Sequence, residues 1–197
     1  SGQVGMLMAS ESTRLGTPLR VLLGTTHIRL RSVPDAVTTA LLVHQSTLLH
    51  TALVDDWGIT DPSLGMCALN PHASDGGLFG DEEEYIYGPA LESLNASGVK
   101  VTGPLPADTV FMRALSGEFD AVIAPYHDVG MAAFKTVSFG TGVNVTLGLP
   151  FIRTSPDHGT AFDISGFDKA DPTSMTKALT LAHRLANNRF DTPPADV

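Results

Sequence analysis

The stretch AVIAPYHDVGMAAFK, residues 121–135, ends an apolar run in a His-Asp pair and places a lone Lys eight residues beyond the His. The same arrangement recurs: His27 closes LRVLLGTTH, His72 closes GMCALNPH and His127 closes FDAVIAPYH. In open α/β sheets, ligands gather outside the carboxyl ends of strands. Three strand-end imidazoles can therefore converge on one divalent ion, an arrangement that leaves a coordination position for water or substrate. Histidines this distant in sequence need not meet in space. His44, His50 and His183 fall inside helical patterns and read as half-buried or surface side chains.

Lys135, Asn144 and Arg153 are cationic or amide groups beside apolar, Gly-containing segments, and each also reads as an ordinary surface residue. Arg153 is the better candidate, because LGLPFIRTSPDHG places it after an apolar run and ahead of a Gly loop, where a guanidinium can grip a phosphate or carboxylate with two hydrogen bonds. The following loop, DHGTAFDISGFDKADP, is rich in small residues that let backbone approach a ligand closely, and it reads equally as a plain surface loop.

The elements that must position these residues alternate. Strand-like runs at VGMLMA, LRVLLGTTH, SLGMCALN, GVKVTG, FDAVIAPYH and GVNVTLGLPFI are separated by helical patterns, which predicts α/β layers around a largely parallel or mixed sheet. The spacing predicts a helix over Asp35–Trp57 stopped by Gly58, a second opening at GDEEEY, where carboxylates face the positive helix end, and a third over Pro172–Asn187. The tail RFDTPPADV reads as disordered.

With 43% hydrophobic and 17% charged residues, the 197-residue chain can bury a core. No apolar run reaches the ~18 residues of a membrane span, and no signal-like segment follows Ser1, so a soluble, cytoplasmic protein is expected. The single Cys67 sits in a strand-like run, excludes an intrachain disulfide and reads as buried. A net charge of −9 argues against a general nucleic-acid surface, which needs clustered Lys and Arg.

The segments TTHIRLR, LNPHASDGG, GPLPADTVF, PYHDVGMAAFK and GVNVTLGLPFIRTSPDHGTAFDISG, in this order and spacing, resemble the 4-hydroxythreonine-4-phosphate dehydrogenase family (PdxA type) of pyridoxal phosphate biosynthesis. That resemblance implies an isocitrate/isopropylmalate dehydrogenase-like α/β/α fold. It implies a divalent metal (zinc, cobalt or magnesium) on His27, His72 and His127, and substrate contacts from Lys135, Asn144 and Arg153. Asp108 and Asp128 match acidic residues near the family's site, and Lys135 is the expected proton-transfer or oxyanion-stabilising group. His158, Gly159, Thr160 and Ala161 are similar to the start of the adenosine-binding loop of the wider superfamily. Asp163 falls where an acid accepts from the ribose 2′-hydroxyl, so NAD is expected over NADP. The implied substrate is 4-phosphooxy-L-threonine, and a homodimer with a site shared between subunits is implied as well.

The chain departs from the family by starting about where the first third of its members has ended, without their Gly-Pro-rich opening motif or the His-Thr pair that contacts substrate phosphate. This leads to the expectation of a dimerisation and metal/substrate domain over residues 1–118 and a return segment of the cofactor-binding domain over 119–197. Val129 stands where relatives usually carry Gln, which keeps D-erythronate or D-threonate 4-phosphate open as substrates. The dihydrodiol dehydrogenase of terephthalate breakdown is also a relative, although Arg153 favours a phosphate-bearing substrate. A metal-binding dimer without catalysis is the remaining alternative.

Overall fold

The computed structural model describes residues 4–160 and 162–191. Seven strands form one mixed sheet in the order β4-β3-β5-β2-β1-β6-β7. They are β1 (Gly5–Ser10), β2 (Leu19–Leu23), β3 (Leu64–Cys67), β4 (Val101–Leu105), β5 (Ala121–Ala124), β6 (Val143–Leu147) and β7 (Thr154–Pro156). β4, β3, β5 and β2 pair in parallel, whereas β1, β6 and β7 continue the sheet through antiparallel ladders. The helices are α1 (Val33–Ala36), α2 (Thr39–Asp55), α3 (Gly88–Ala96), α4 (Ala107–Leu115), α5 (His127–Ser138) and α6 (Thr173–Asp191).

Alternation along the strands divides the core in two. Leu7, Leu22, Leu64, Ile123, Val143 and Val145 pack with Leu49 and Leu53 of α2, Leu94 of α3 and Leu181 and Leu185 of α6. Met8, Val21, Leu23 and Val122 pack on the other face with Val110 and Phe111 of α4 and Met131 and Phe134 of α5. The result is the expected α/β/α layering. No single helix among the described residues is long and apolar enough to cross a membrane.

The division expected near residue 118 falls between α4 and β5, but β5 inserts between β3 and β2, so segments on either side of it share one sheet. The helix expected over 35–57 is broken at Val37–Thr38: Thr38 is extended, and its hydroxyl accepts from the Leu41 amide at 3.1 Å, capping α2 afresh. Gly58 does follow as a stop, at φ +70°. The helix opening at GDEEEY begins as a turn of π-helix, Glu83–Tyr87, that runs into α3. α4, α5 and β7 had no sequence expectation. At the carboxyl end, α6 runs on to Asp191 where the tail was expected to begin at Arg189. Arg189 grips the buried Asp56 carboxylate with two contacts of 2.5 and 2.6 Å, and that pairing extends the helix.

Two local features hold the layers in place. A Cβ on Gly130 of α5 would meet Leu23 Cδ2 at 2.6 Å and Val21 Cγ1 at 3.1 Å, so this glycine lets the helix lie against β2. Glu11, just past β1, accepts from Arg20, Arg184 and the Trp57 indole, tying β2, the end of α2 and α6 to one carboxylate. Burial opposes its ionisation, but Arg20, Arg184 and Trp57 outweigh it and hold the carboxyl below its ordinary value of 4.5.

Gly130→Val is expected to destabilise the protein by about 1–3 kcal/mol through overpacking, read as a lowered urea midpoint. Because the folded pKa of Glu11 is depressed, its stabilisation is present above the ordinary value and lost as pH falls through the folded value. The stability gap between wild type and Glu11→Gln should therefore hold constant from about pH 7 to about pH 5 and shrink toward about pH 3.5, as urea titrations across that range would show.

Candidate functional site

The parallel run of β4, β3, β5 and β2 puts four carboxyl ends on one rim of the sheet. The chain leaving them carries, in that spatial order, Asp108 in the first turn of α4, His72, His127 as the first residue of α5, and His27. The His27 and His127 rings meet with centroids 5.1 Å apart. His127 Nδ1–H donates to the Asp128 carboxylate at 2.7 Å, which fixes the tautomer and leaves the Nε2 lone pair available. Both histidines are accessible to solvent, so an ion can reach them.

His72 stands apart. It borders a depression of about 260 Å³ with Asn70, Pro71 and Asp108, on the β4 side of the rim. Among the described residues, no three His, Cys, Asp or Glu side chains lie close enough together to hold a metal ion. Within one chain the expected trio is thus a pair, His27 and His127, with His72 separate. The cause is the backbone: His127 starts a helix directly after its strand, whereas His72 leaves β3 in a left-handed turn.

That turn is unusual. His72, Ala73, Ser74 and Asp75 have φ of 55, 55, 68 and 45°, four successive non-glycine residues in a region that costs about 1–2 kcal/mol each. Only Gly76 and Gly77, which follow at φ 69 and 95°, adopt it freely. Beneath it lies Glu83, 6% exposed. Its Oε1 accepts from the Leu69 and Asn70 amides at 2.9 and 2.8 Å, and its Oε2 from Asn70 Nδ2 at 2.9 Å and the Ser74 hydroxyl at 2.5 Å. Burial works to raise its pKa, but these donors prevail and keep the carboxyl below its usual range. Sequence reasoning placed Glu83 at a helix start only, and its part in the His72 turn had no local signal beyond the run of acids in GDEEEY.

Lys135, Asn144 and Arg153 lie elsewhere. Lys135 is eight residues along α5 from His127, about 12 Å of helix rise, and its amine pairs with Asp157 at 3.3 Å. Asn144 lies on β6 between Met8 of β1 and Ser155 of β7. Arg153 is exposed, and its Nη1 donates to Thr146 at 2.7 Å. Val143, Val145 and Leu147 bury the other face of β6, so Asn144 and Thr146 point to the side covered by α4 and α5. Arg153, which pairs with Thr146, extends the same polar strip. His158, Gly159, Thr160, Asp168 and Lys169 are among the residues lining an open depression of about 830 Å³. Asp163 is exposed on a short 3-10 turn, Phe162–Ile164, and Ala161 lies outside the described residues. Cys67 is buried, and desolvation pushes its thiol up to about 12, which makes it inert.

The family model of the pyridoxal phosphate biosynthetic protein PdxA matches residues 1–182. The chain is 47% identical over 188 residues to a 4-hydroxythreonine-4-phosphate dehydrogenase of Chromobacterium violaceum, and 49% identical over 175 residues to that of Aromatoleum aromaticum. These alignments cover 95% and 89% of the chain but 56% and 54% of the relatives, so the chain spans about half the length of the curated relatives it matches. The crystal structure of the Klebsiella pneumoniae 4-hydroxythreonine-4-phosphate dehydrogenase superposes with a TM-score of 0.83 at 41% identity, over 94% of this chain and 55% of that one. A terephthalate 1,2-cis-dihydrodiol dehydrogenase from Burkholderia xenovorans superposes with a TM-score of 0.73 at 28% identity, over 91% of this chain and 55% of that one.

Proposed function

The chain belongs to the PdxA family, and on that membership we propose that it acts in a metal-dependent, NAD-linked oxidation of 4-phosphooxy-L-threonine. The reaction removes a hydride and a proton from the secondary alcohol. The 3-oxo acid so formed loses carbon dioxide and leaves 3-amino-2-oxopropyl phosphate. The observation that carries the reading is the His27–His127 pair on the rim of parallel strand ends, backed by Asp128.

Two imidazoles with a free ring nitrogen on His127 suit a divalent zinc, cobalt or magnesium ion, with zinc and cobalt better matched to nitrogen ligands. His27 and His127 of one copy would hold it, with His72 supplied by a second copy, since within one chain His72 faces Asp108 instead. When bound, the metal supplies Lewis-acid polarisation of the reacting hydroxyl and the nicotinamide supplies the hydride acceptor. Asp128 orients His127. Lys135 moves the alcohol proton or stabilises the developing oxyanion, and Asp157 holds its amine in place until substrate competes for it. Arg153 and Asn144, on one polar strip, bind the anionic end of the substrate. Backbone around Gly159 and Thr160 receives the adenosine half of the dinucleotide, and Asp163 favours the 2′-hydroxyl of NAD over a 2′-phosphate. Asp108 lines the same depression as His72, which supports a catalytic acid or base role for it beside the shared site.

D-erythronate or D-threonate 4-phosphate is the second reading of the substrate. It is favoured by Val129, which packs against the apolar core under α5 and offers no hydrogen bond there.

Purified protein should form NADH from 4-phosphooxy-L-threonine faster than from either sugar-acid phosphate, respond to zinc or cobalt, lose turnover on chelation, and work less well with NADP. No reduction with any of the three substrates would leave a metal-binding dimer as the surviving interpretation. Site sharing has a separate expected outcome. His72→Ala and His127→Ala should each be inactive alone, but mixing them in equal amounts and allowing exchange should restore about a quarter of wild-type turnover, because each mixed dimer keeps one intact site. Absence of any recovery, with exchange verified by mass spectrometry, would place the whole site in one chain.

A further inference from the structure

We infer that Glu83 is a positioning residue for His72, fixing the left-handed turn that carries this imidazole to the rim. The inference rests on the reading of His72 as a ligand, and it goes beyond that reading in naming what sets the ligand's place. His72 is the midpoint of a segment clamped on both sides by one carboxylate: Leu69 and Asn70 before it, and Ser74 after it, all donate to Glu83. The Ser74 hydroxyl also lies 2.7 Å from the Gly80 carbonyl, and Asn70 Nδ2 lies 2.7 Å from Glu82, so the clamp closes the loop from 69 to 83 on itself.

Besides those contacts the loop keeps short-range backbone bonds, from the Ala73 amide to the Asn70 carbonyl and from the Gly77 and Phe79 amides to that of Ser74, which do not remove the cost of positive φ at four non-glycine residues. His72, Ala73, Ser74 and Asp75 all prefer right-handed or extended conformations, and without the Glu83 contacts the chain would relax toward them. Relaxation would carry the His72 ring away from the depression it shares with Asp108. The exposure pattern agrees with a clamp built for presentation: Ser74 and Glu83 are 3% and 6% exposed, while His72, between Asn70 and Ser74, is open to solvent. Glu83 touches neither substrate nor reacting atoms in this arrangement. It acts through the turn, as outer partners of metal-site histidines act through hydrogen bonds to the ring.

Titration of the full chain with cobalt(II), followed by calorimetry and by the visible spectrum of the bound ion, tests this. Glu83→Ala should weaken cobalt binding by about 10–100-fold and alter the spectrum, the size seen when a second layer of support is removed. Glu83→Gln keeps an acceptor for the Leu69 and Asn70 amides and should recover much of that loss. Ala73→Gly in the Glu83→Ala background should recover part of it, because glycine adopts φ +55° without the clamp. A purely structural role for Glu83 would lower the thermal midpoint but leave affinity and spectrum of the folded protein unchanged, and that result overturns the inference. If wild type itself binds no cobalt, the histidine-ligand reading fails instead. The clamp is then judged on metal-free protein, where Glu83→Ala should shift the His72 ring resonance and speed hydrogen exchange at Leu69 and Asn70 alone; unchanged signals overturn it. Should Glu83→Ala not fold, Ser74→Ala removes a single donor and carries the same comparisons.

Discussion

β5 lies at the centre of the sheet's parallel half, and its ladders to β3 on one side and β2 on the other decide the order in which site residues arrive at the rim. Both faces of β5 are sealed: Ala121 and Ile123 enter one core, Val122 and Ala124 the other. A four-residue strand this apolar has no stable position except between two neighbours, since its backbone polar groups need partners on both sides. Once it is inserted, His127 must emerge between the segments that carry His72 and His27. The 5.1 Å approach of His27 and His127 follows from adjacency of β2 and β5 and from the short connection of β5 to α5.

α5 converts that placement into a longer polar track. Its N-terminus presents His127 and Asp128 on the rim, its middle is pressed on β2 through Gly130, and its last turns hold Lys135 against Asp157 from beyond β7. The helix therefore spans the distance between an imidazole pair and a cationic group near the antiparallel edge. β6 and β7 contribute Asn144 and Arg153 from the same side of the sheet. The site is assembled from strand ends, one helix and one sheet edge, so its geometry depends on the layering more than on any single loop.

The His72 turn is the exception, because there the backbone conformation itself is unfavourable. Strain of this kind persists only where surrounding structure over-determines it. Here a buried carboxylate with four donors supplies that determination, and its own ionisation is secured by the same donors. The pairing of a strained loop with a buried acid marks the place where stability has been given up for position.

Much of this was legible in the sequence. The apolar runs marked six of the seven strands, the alternation of runs and helical patterns pointed to α/β/α layers, and the strand-end histidines stood out by their location in the chain. The roles proposed for Lys135, Asn144, Arg153 and the Gly loop rest on family motifs, which are long and contiguous. Other features carried no local signal. α4 and α5 were hidden because each follows a strand within a few residues, so the strand pattern masks the helical one. Thr38 was absorbed into a helix whose break depends on a single hydroxyl. Whether three histidines meet is a matter of backbone direction after each strand, and that was decided only in three dimensions: right-handed helix after β5, left-handed turn after β3. The sequence by itself determined which residues could do chemistry and in what layers they would sit. The tertiary structure alone decided which of them share a rim, which are held by a partner and which one stands apart, since those outcomes depend on strand order and on contacts between residues far apart in the chain.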